Sequence, residues 1–580
     1  MRMIAASPVQ EGGSRLALLA ALTALAVAGC ATGGGTPAAV ASPQSPVSLG
    51  ADAAQACAAL VFTVPAGSIG LPSGAAQVDS ATLVPAAPLA VAERGPTPAS
   101  RVTPPTPAFC KLLGHISPLD AKAPDIRFQI NLPLRWNGRT VQYGGGGFNG
   151  VLTDAVGLPP AQRFDTPTPL AQGFVTYGTD SGHQNKPGEA PQAFALNDEA
   201  LVNFAHASYK KVRDVAVAVV QRAYGQKPAK LYFMGSSEGG REGLTMAQRY
   251  PADFDGIFSR VPVIHWTGLQ HAGLRDGLAS MGDAWIRPAQ VQLVHDAVLA
   301  ACDAADGLAD GIVSDPVGCR QRFDVQRLRC TGAPSDACLT DAQIRAVQTL
   351  HSPLRMGFDL ANGLRDYPGR GPSGEALPSF GPMGGWSAWW LGRAAPAVPP
   401  TQANGIAWFF GAGAIQYFYA QDPQANLLNY RPEQHRERVQ QVSALMDSTN
   451  PDLSAFQARG GKLIVLEYLS DYAQSPYAGI QYHQAVVGKL GRSTVDSFFK
   501  LYATPGVDHV GSGAPANVDM LPALTAWVEQ GTAPASLQVL EQEVKAPFAT
   551  LRARPLCEWP LVVRYRGGDA AQASSFQCAP

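Results

Sequence analysis

The chain has 580 residues, of which 46% are hydrophobic and 15% are charged, so it is long and apolar enough to bury a large core. Its 44 lysines and arginines nearly cancel its 45 aspartates and glutamates. Without a surplus of positive charge the chain has no long-range field that gathers phosphate backbones or anionic lipid, and these numbers exclude nucleic-acid binding.

The amino terminus has the pattern of an export signal. The apolar run 16–28 is shorter than the roughly 20 residues that cross a bilayer as a helix, and it fits the apolar region of a signal peptide. The run ends in VAGC, which resembles a bacterial lipobox, so we expect residues 1–29 to be removed and Cys30 to carry lipid. Ordinary secretion is the alternative. The Gly-, Ser- and Pro-rich residues 30–50 are predicted to form a flexible tether.

Eight of the nine cysteines remain after Cys30, and an even number in an exported chain predicts disulfides. Three pairs are suggested by closeness in the sequence, and the other two cysteines are left for each other. No spacing resembles a zinc knuckle, and a catalytic thiol would leave one cysteine without a partner. The predicted pairs are Cys302 with Cys319, Cys330 with Cys338, Cys557 with Cys578, and Cys57 with Cys110.

From about residue 118 the chain alternates between strands and helices in the manner of a doubly wound parallel sheet. Strands are predicted at 140–143, 174–177, 230–234, 256–261, 462–467 and 498–503, and helices at 198–224, 241–250 and 520–530. The alternation stops over 262–461, which we interpret as an inserted lid domain. Residues 51–261 and 462–580 then form the two parts of one α/β core.

The pentapeptide Gly235-Ser236-Ser237-Glu238-Gly239 matches G-x-S-x-G, the turn that presents a serine above the sheet in α/β-hydrolases. Chance alone gives roughly 0.35 matches in a chain of this composition, so the motif by itself is weak. Its context is specific, because a predicted strand precedes it and a predicted helix follows. The sequence therefore predicts an α/β-hydrolase fold with Ser237 as the nucleophile.

A serine hydroxyl needs a histidine to take its proton and a carboxylate to orient that histidine. In this fold the chain order is serine, acid, histidine, which selects Asp471 and His509, each of which follows a predicted strand. His183 also follows a strand, but it precedes the serine and so has the wrong order.

The oxyanion formed during acyl transfer needs two N–H donors that are already in place. One predicted donor is the backbone N–H of Glu238, and the other comes from the glycine loop Gly144 to Gly147. A phosphate-binding loop is the alternative for these glycines, but the Gly-Lys-Ser/Thr ending and the following helix of a P-loop are missing.

Together these segments resemble the tannase and feruloyl esterase family, from about Cys57 to Cys578. The stretches that carry the resemblance are Trp136 to Arg139, the glycine loop to Gly150, Gly235 to Gly243, Cys302 to Val313, Ala388 to Gly392, Ser470-Asp471, Pro505 to His509 and Met520 to Gly531. The resemblance implies an exported serine esterase that hydrolyses esters of aromatic, phenolic acids through an acyl-enzyme. It implies Ser237, Asp471 and His509 as the triad and Gly147 with Glu238 as oxyanion donors. Trp389 is implied to lie over the substrate ring.

The Asp-rich segment 303–312 is a candidate calcium site. Calcium takes six to eight oxygen ligands, although the spacing here differs from that of an EF-hand, and a solvated acidic turn is the plain alternative. The family resemblance implies a structural calcium ion held by the side chains of Asp303, Asp306 and Asp310 and the carbonyls of Leu308 and Ile312.

The chain departs from the family at two places. Ser236 and Val510 stand where a cysteine pair usually joins the nucleophile turn to the histidine loop, so we expect an active but looser site. The segment 394–430 holds no Arg or Lys, and Glu467 stands where the family usually shows a histidine. A substrate with a free carboxylate is therefore expected to meet neither an arginine of this segment nor that histidine, and to face repulsion.

Two other functions share the same residues. A catalytically silent or weakly active lipoprotein would keep the cleft for aromatic ligands, and the intact triad residues argue against it. An acyltransferase would use the same triad and differ only in how the lid excludes water.

Overall fold

A computed structural model describes residues 46–380 and 383–580. The predicted signal peptide, the lipid site at Cys30 and the tether up to residue 45 lie outside the described residues. The end of the predicted tether belongs to the fold, because Val47–Ser48 pair with Arg135–Trp136 and Leu49 is buried. Within the described ranges, no helix combines the length and apolar content that a membrane span requires.

Eleven strands form one mixed sheet in the spatial order β1-β2-β3-β4-β6-β5-β7-β8-β9-β10-β11. They are β1 Thr63–Val64, β2 Ala76–Val84, β3 Phe109–Ile116, β4 Ile126–Pro133, β5 Arg139–Tyr143, β6 Val175–Thr179, β7 Lys230–Ser236, β8 Gly256–Arg260, β9 Lys462–Tyr468, β10 Phe499–Thr504 and β11 Cys557–Glu558. The six predicted strands are all present. The antiparallel strands β1 to β4 were not predicted: β1 to β3 precede the alternating part of the chain, and no helix separates β4 from β3 or from β5.

The strands from β6 to β10 are parallel neighbours, and the pairs on either side of them are antiparallel. Parallel strands of one sheet end at the same edge, where loops meet. The loops that follow β5, β7, β9 and β10 therefore lie together, and these loops hold the glycine loop, Ser237, Asp471 and His509.

Helices cover both faces of the sheet. Outside the insertion they are α1 Ala53–Ala58, α2 (Asp198–Val202 and Ser208–Tyr224, joined by the π-helical turn Asn203–Ala207), α3 Glu238–Arg249, α12 Pro476–Leu490, α13 Arg492–Asp496 and α14 Met520–Gln530. The long helix α2 is capped by Asn197, whose side chain accepts the N–H of Ala200, and its apolar residues pack on β4 and β6. On the other face, α14 packs Leu524 and Trp527 against the sheet.

The insertion, residues 262–461, leaves β8 and returns at β9, its parallel neighbour. It is mainly helical, with α4 Trp266–Ala279, α5 Pro288–Cys302, α6 Pro316–Arg322, α7 Asp341–His351, α8 Gly385–Trp389, α9 Ile406–Ala414, α10 Arg436–Met446 and α11 Ser454–Ala458, and its short strands are Leu354–Arg355, Asp366–Tyr367, Pro378–Phe380 and Met383–Gly384. After β10 the chain forms two further strand pairs, Gln538–Gln542 with Thr550–Pro555 and Val562–Tyr565 with Phe576–Ala579.

The eight cysteines form the four pairs proposed from the sequence. Cys57–Cys110 ties α1 to β3 and is fully buried, whereas Cys330–Cys338 closes a short loop of the insertion. The bonds therefore differ mainly in how much of the unfolded chain they constrain.

Replacing Cys57 and Cys110 together by alanine should lower the free energy of unfolding by about 4 kcal/mol, because this bond joins residues 53 positions apart. The matched double replacement of Cys330 and Cys338, only 8 positions apart, should cost about 2.5 kcal/mol. Urea unfolding of both variants measures the two losses. A larger loss for the shorter loop would contradict the loop-entropy explanation.

Candidate active site

Ser237 occupies the sharp turn between β7 and α3. Its backbone has φ +61° and ψ −120°, a conformation that costs an L-residue energy and that persists only where the surroundings hold it. The Ser237 N–H donates to the Arg260 carbonyl, and its own carbonyl accepts the N–H groups of Arg241 and Val263. The turn therefore fixes the serine at the carboxyl edge of the sheet and at the amino end of a helix.

The glycines of the motif are required by close backbone contacts. A Cβ at Gly235 would lie 2.0 Å from the carbonyl oxygen of Gly239, and a Cβ at Gly239 would lie 2.7 Å from that of Gly145. The Gly239 N–H donates to the Gly145 carbonyl at 3.1 Å. Only bare backbone lets the nucleophile turn and the glycine loop touch.

The structure brings the three predicted triad residues together. The Ser237 hydroxyl lies 2.8 Å from His509 Nε2, and His509 Nδ1 lies 2.6 Å from Asp471 Oδ2. Because an ionised carboxylate only accepts, Nδ1–H donates to Asp471 and leaves Nε2 free to accept the serine proton. The arrangement can deprotonate Ser237 without moving any group.

The Asp471 carboxylate is fully enclosed. Its Oδ1 accepts the backbone N–H groups of Ala473 and Gln474, and Asp471 is 2% exposed. These hydrogen bonds fix the side chain so that Oδ2 faces the imidazole.

The insertion holds the loop that carries Asp471. The Arg370 guanidinium donates to the carbonyls of Tyr472 and Ala473 and pairs with Asp276 at 2.9 Å, and both charged side chains are 2% exposed. The Ser373 and Ser470 hydroxyls hydrogen bond at 2.6 Å. The aspartate is therefore positioned from outside the sheet, and sequence reasoning did not identify this contribution.

The two predicted oxyanion donors both border the cleft. In the described part of the chain, neither the Gly147 N–H nor the Glu238 N–H has a hydrogen-bond acceptor. Glu238 begins α3, so its N–H also lies at the positive end of a 12-residue helix. Its side chain points away and pairs with the buried Arg241, while burial raises the pKa of the Glu238 carboxyl.

Glu242 fixes the glycine loop, and sequence reasoning missed it. Its carboxylate accepts the Gly145 N–H at 3.0 Å and the side-chain N–H of Asn149 at 2.8 Å. The side-chain oxygen Oδ1 of Asn149 in turn accepts the Gly146 N–H at 2.6 Å. Glu242 is fully buried. The available signal was a glutamate one helical turn beyond the nucleophile, on the face of α3 next to the glycine loop.

A cleft of about 580 Å³ opens over Ser237 and His509. The insertion lines it with apolar side chains that include Trp266, Trp389 and Phe410. Trp389 stands edge-on to the His509 ring at a centroid distance of 5.1 Å, so it borders the imidazole as well as the cleft. Pro159 and Phe164 of the core line another part of the cleft.

His183, the alternative histidine, lies apart from the triad. Its Nε2 hydrogen bonds to the Phe148 carbonyl at 2.7 Å, and its ring stacks on Phe194. Burial lowers the pKa of His183 to about 4, so it is neutral at physiological pH. Its role is to support the glycine loop next to Phe148.

A hydrogen bond stands in place of the missing cysteine pair. The Arg260 Nε–H donates to the Ser236 hydroxyl at 2.8 Å, and Val510 lines the cleft. Arg260 itself also lines the cleft. Segment 394–430 offers the cleft no cation, but Arg260 of β8 does.

Glu467 does not face the cleft. It lies in β9, is fully buried, and accepts the Gln474 side-chain amide at 3.0 Å. Burial and the charge of Asp471 raise the pKa of Glu467 well above its ordinary value, and Glu467 is not among the residues that line the cleft. The expected repulsion of an acidic substrate by Glu467 is therefore not supported.

The Asp-rich segment folds into a tight turn. Its carboxylates accept backbone N–H groups of the turn, and Asp310 also pairs with Arg554 at 2.7 Å. Burial, with the charges of Asp310 and Asp303, raises the pKa of Asp306. In the described chain no hydrogen bond reaches the Leu308 or Ile312 carbonyl, and no three ligating side chains converge in metal-binding geometry. This all-oxygen donor set suits calcium, with the Arg554 contact as the competing partner.

Comparison with known proteins gives a consistent picture. Residues 110–579 match the family model described as tannase and feruloyl esterase. An uncharacterised esterase of Agrobacterium fabrum is 36% identical, over 91% of this chain and 94% of its own. The mono(2-hydroxyethyl) terephthalate hydrolase of Piscinibacter sakaiensis is 31% identical, over 84% of this chain and 87% of its own.

Solved structures share the fold. An esterase from Aspergillus oryzae superposes with a TM-score of 0.73 at 23% identity, covering 90% of this chain and 99% of its own. Feruloyl esterase B from the same organism gives 0.70 at 24% identity, covering 88% and 98%. The match of the family model over most of the chain, together with these relatives, shows that this protein belongs to the tannase and feruloyl esterase family.

Proposed function

We propose that this protein is an exported serine esterase that hydrolyses esters of aromatic, phenolic carboxylic acids through an acyl-enzyme on Ser237. The observation that carries the proposal is the continuous hydrogen-bonded line from the Ser237 hydroxyl through His509 to Asp471, at 2.8 and 2.6 Å. Family membership supports the reaction class, a carboxylic ester hydrolase.

In the first half of the reaction, Ser237 Oγ attacks the ester carbonyl while its proton passes to His509 Nε2. Asp471 stabilises the imidazolium through the Nδ1–H hydrogen bond. The negative charge on the former carbonyl oxygen is bound by the Gly147 and Glu238 N–H groups, each worth about 3 kcal/mol in the transition state. His509 then gives its proton to the departing alcohol.

In the second half, His509 takes a proton from water, which attacks the acyl-enzyme, and the same two N–H groups bind the charge again. The acid product leaves and Ser237 recovers its proton. Transfer of the acyl group to an alcohol would follow the same path with the alcohol in place of water.

The cleft supports an aromatic acyl group. Trp389, Trp266 and Phe410 give it large flat apolar walls next to the serine, and Trp389 is proposed to contact the substrate ring. Relatives named as a mono(2-hydroxyethyl) terephthalate hydrolase and as a probable feruloyl esterase support this choice, because both names refer to esters of aromatic acids.

Export is proposed from the signal pattern, with lipid on Cys30, and four disulfides support an oxidising compartment. Calcium is proposed to bind the Asp-rich segment with a structural role. Ile312 of this segment packs directly on Gly506, in the loop that leads to His509. An ion here would stiffen that loop.

A fluorophosphonate should label the folded protein at Ser237, because the His509 base makes this hydroxyl nucleophilic. Ser237→Ala should abolish labelling and reduce turnover of a p-nitrophenyl ester by at least about 10³-fold. Peptide mapping and steady-state kinetics check both results. Tight binding of a phenolic ester without turnover by the parent chain would support the silent binding protein instead.

Glu242→Gln should lower kcat roughly 10- to 100-fold with little change in KM, because the glycine loop then loses one of its two anchors and Gly147 is displaced in the transition state. Asp447→Asn is the matched control, since Asp447 is another buried carboxylate that accepts a backbone N–H, that of Thr267. Equal kcat values for the two variants would contradict this role of Glu242.

Calcium at 1 mM should raise the melting temperature by several degrees relative to protein with chelator, because an ion that binds only the folded state stabilises it. Asp306→Asn should remove this rise. Asp315→Asn, which alters a nearby helix cap outside the proposed site, should keep it. Scanning calorimetry measures the calcium-induced change in melting temperature for the parent chain and both variants. The same rise in Asp306→Asn as in the parent chain would rule out this site.

A further inference from the structure

The charged side chains that border the cleft differ in whether they have an ionic partner. Among the described residues that line it, the carboxyl, guanidinium and imidazole side chains are those of Glu238, Arg260 and His509. Glu238 is paired with Arg241, and His509 with Asp471. Arg260 is the lining residue with a permanent positive charge and no ionic partner in the described chain.

Arg260 is held in place by neutral groups and not by a carboxylate. The Nε–H donates to the Ser236 hydroxyl at 2.8 Å, and the guanidinium lies 5.5 Å from the centroid of the Tyr468 ring. No carboxylate of the described chain comes within 4.0 Å, and the neutral hydroxyl of Tyr468 is the polar side-chain group beside the guanidinium apart from Ser236. The side chain is partly buried.

A partly buried guanidinium without a partner is unusual, because lost hydration is ordinarily replaced by a carboxylate or several carbonyls. The two Nη groups form a planar fork that matches a carboxylate. The hydrogen bond to Ser236 and the ring of Tyr468 restrict the side chain, so little further entropy is lost when an anion binds.

We propose that Arg260 is a carboxylate-binding residue of the cleft, and that the preferred esters carry, besides the scissile bond, a free carboxylate. This inference rests on the proposed esterase function and narrows its substrate class. The carboxylate can belong to the acyl part or to the alcohol part. Arg260 Nη1 approaches Gly511, two residues beyond His509, which puts the fork on the histidine side of the nucleophile.

The test uses two pairs of esters, each a carboxylate and its neutral primary amide. The acyl pair is the mono(2-hydroxyethyl) ester of terephthalic acid and its carboxamide. The alcohol pair is 3-carboxypropyl benzoate and 3-carbamoylpropyl benzoate. Within each pair shape and ester chemistry are nearly constant, so the ratio of kcat/KM values isolates the charge.

The parent chain should favour the carboxylate by about tenfold or more in at least one pair, and that pair shows which part of the substrate meets Arg260. Raising the salt concentration from 0.05 to 1 M should reduce the ratio. Arg260→Gln should bring the carboxylate-to-amide ratio of kcat/KM near one, and Arg260→Lys should keep part of the preference. Ser236→Ala, which removes a contact of Nε but leaves the charge, is the matched control and should keep a preference.

Ratios near one for both pairs in the parent chain would overturn the inference while the amides are still hydrolysed. A ratio that survives in Arg260→Gln would assign the preference to another group. An equal fall of both members of a pair in this variant, with the ratio kept, would mean that Arg260 only supports the loop. Hydrolysis of none of the four esters, with no labelling of Ser237, would instead refute the esterase function.

Discussion

The backbone crossing between the nucleophile turn and the glycine loop is the contact on which the site depends. Gly239 and Gly145 touch through an N–H to carbonyl hydrogen bond, at a distance that admits no side chain. This contact holds Ser237 in its costly conformation and places the Glu238 N–H beside the loop that ends in Gly147. The Glu242 carboxylate holds the same loop by accepting the Gly145 N–H. Nucleophile and oxyanion donors therefore form one rigid unit.

The other two triad residues stand on separate loops, and each is braced by the insertion. Arg370 and Ser373 hold the loop of Asp471, and Ile312 packs on the loop of His509. A cysteine pair between the serine turn and the histidine loop is therefore one of several possible braces. In this chain the residue before the nucleophile, Ser236, accepts a hydrogen bond from Arg260. Arg260 also brings a positive charge to the cleft, which a disulfide would not carry.

The sequence was sufficient for the parallel core, the four cysteine pairs and the residues that the structure brings into the triad geometry. Each has a local signal except the pair Cys57–Cys110, which followed by elimination. Strands β5 to β10 alternate with helices, and Ser237, Asp471 and His509 follow strands in a fixed order. The antiparallel strands β2 to β4 lack that alternation. Arg370 was missed because its contact with Tyr472 joins positions 102 apart. Arg260 was missed and Glu467 was misjudged because packing decides whether a charged side chain on a strand faces a cleft or a core.

The position of the insertion has a consequence for how the family diversifies. Its two ends lie on adjacent parallel strands but at opposite edges of the sheet, because it leaves after Arg260, which pairs with Leu466, and returns at Lys462, which pairs with Gly256, roughly 14 Å away. Any replacement must therefore cross from one edge of the sheet to the other, as a connection between parallel strands does. A replacement must still offer donors to the carbonyls of Tyr472 and Ala473, as Arg370 does here. Changes of substrate range and the alignment of the acidic triad member are thereby tied to the same stretch of polypeptide.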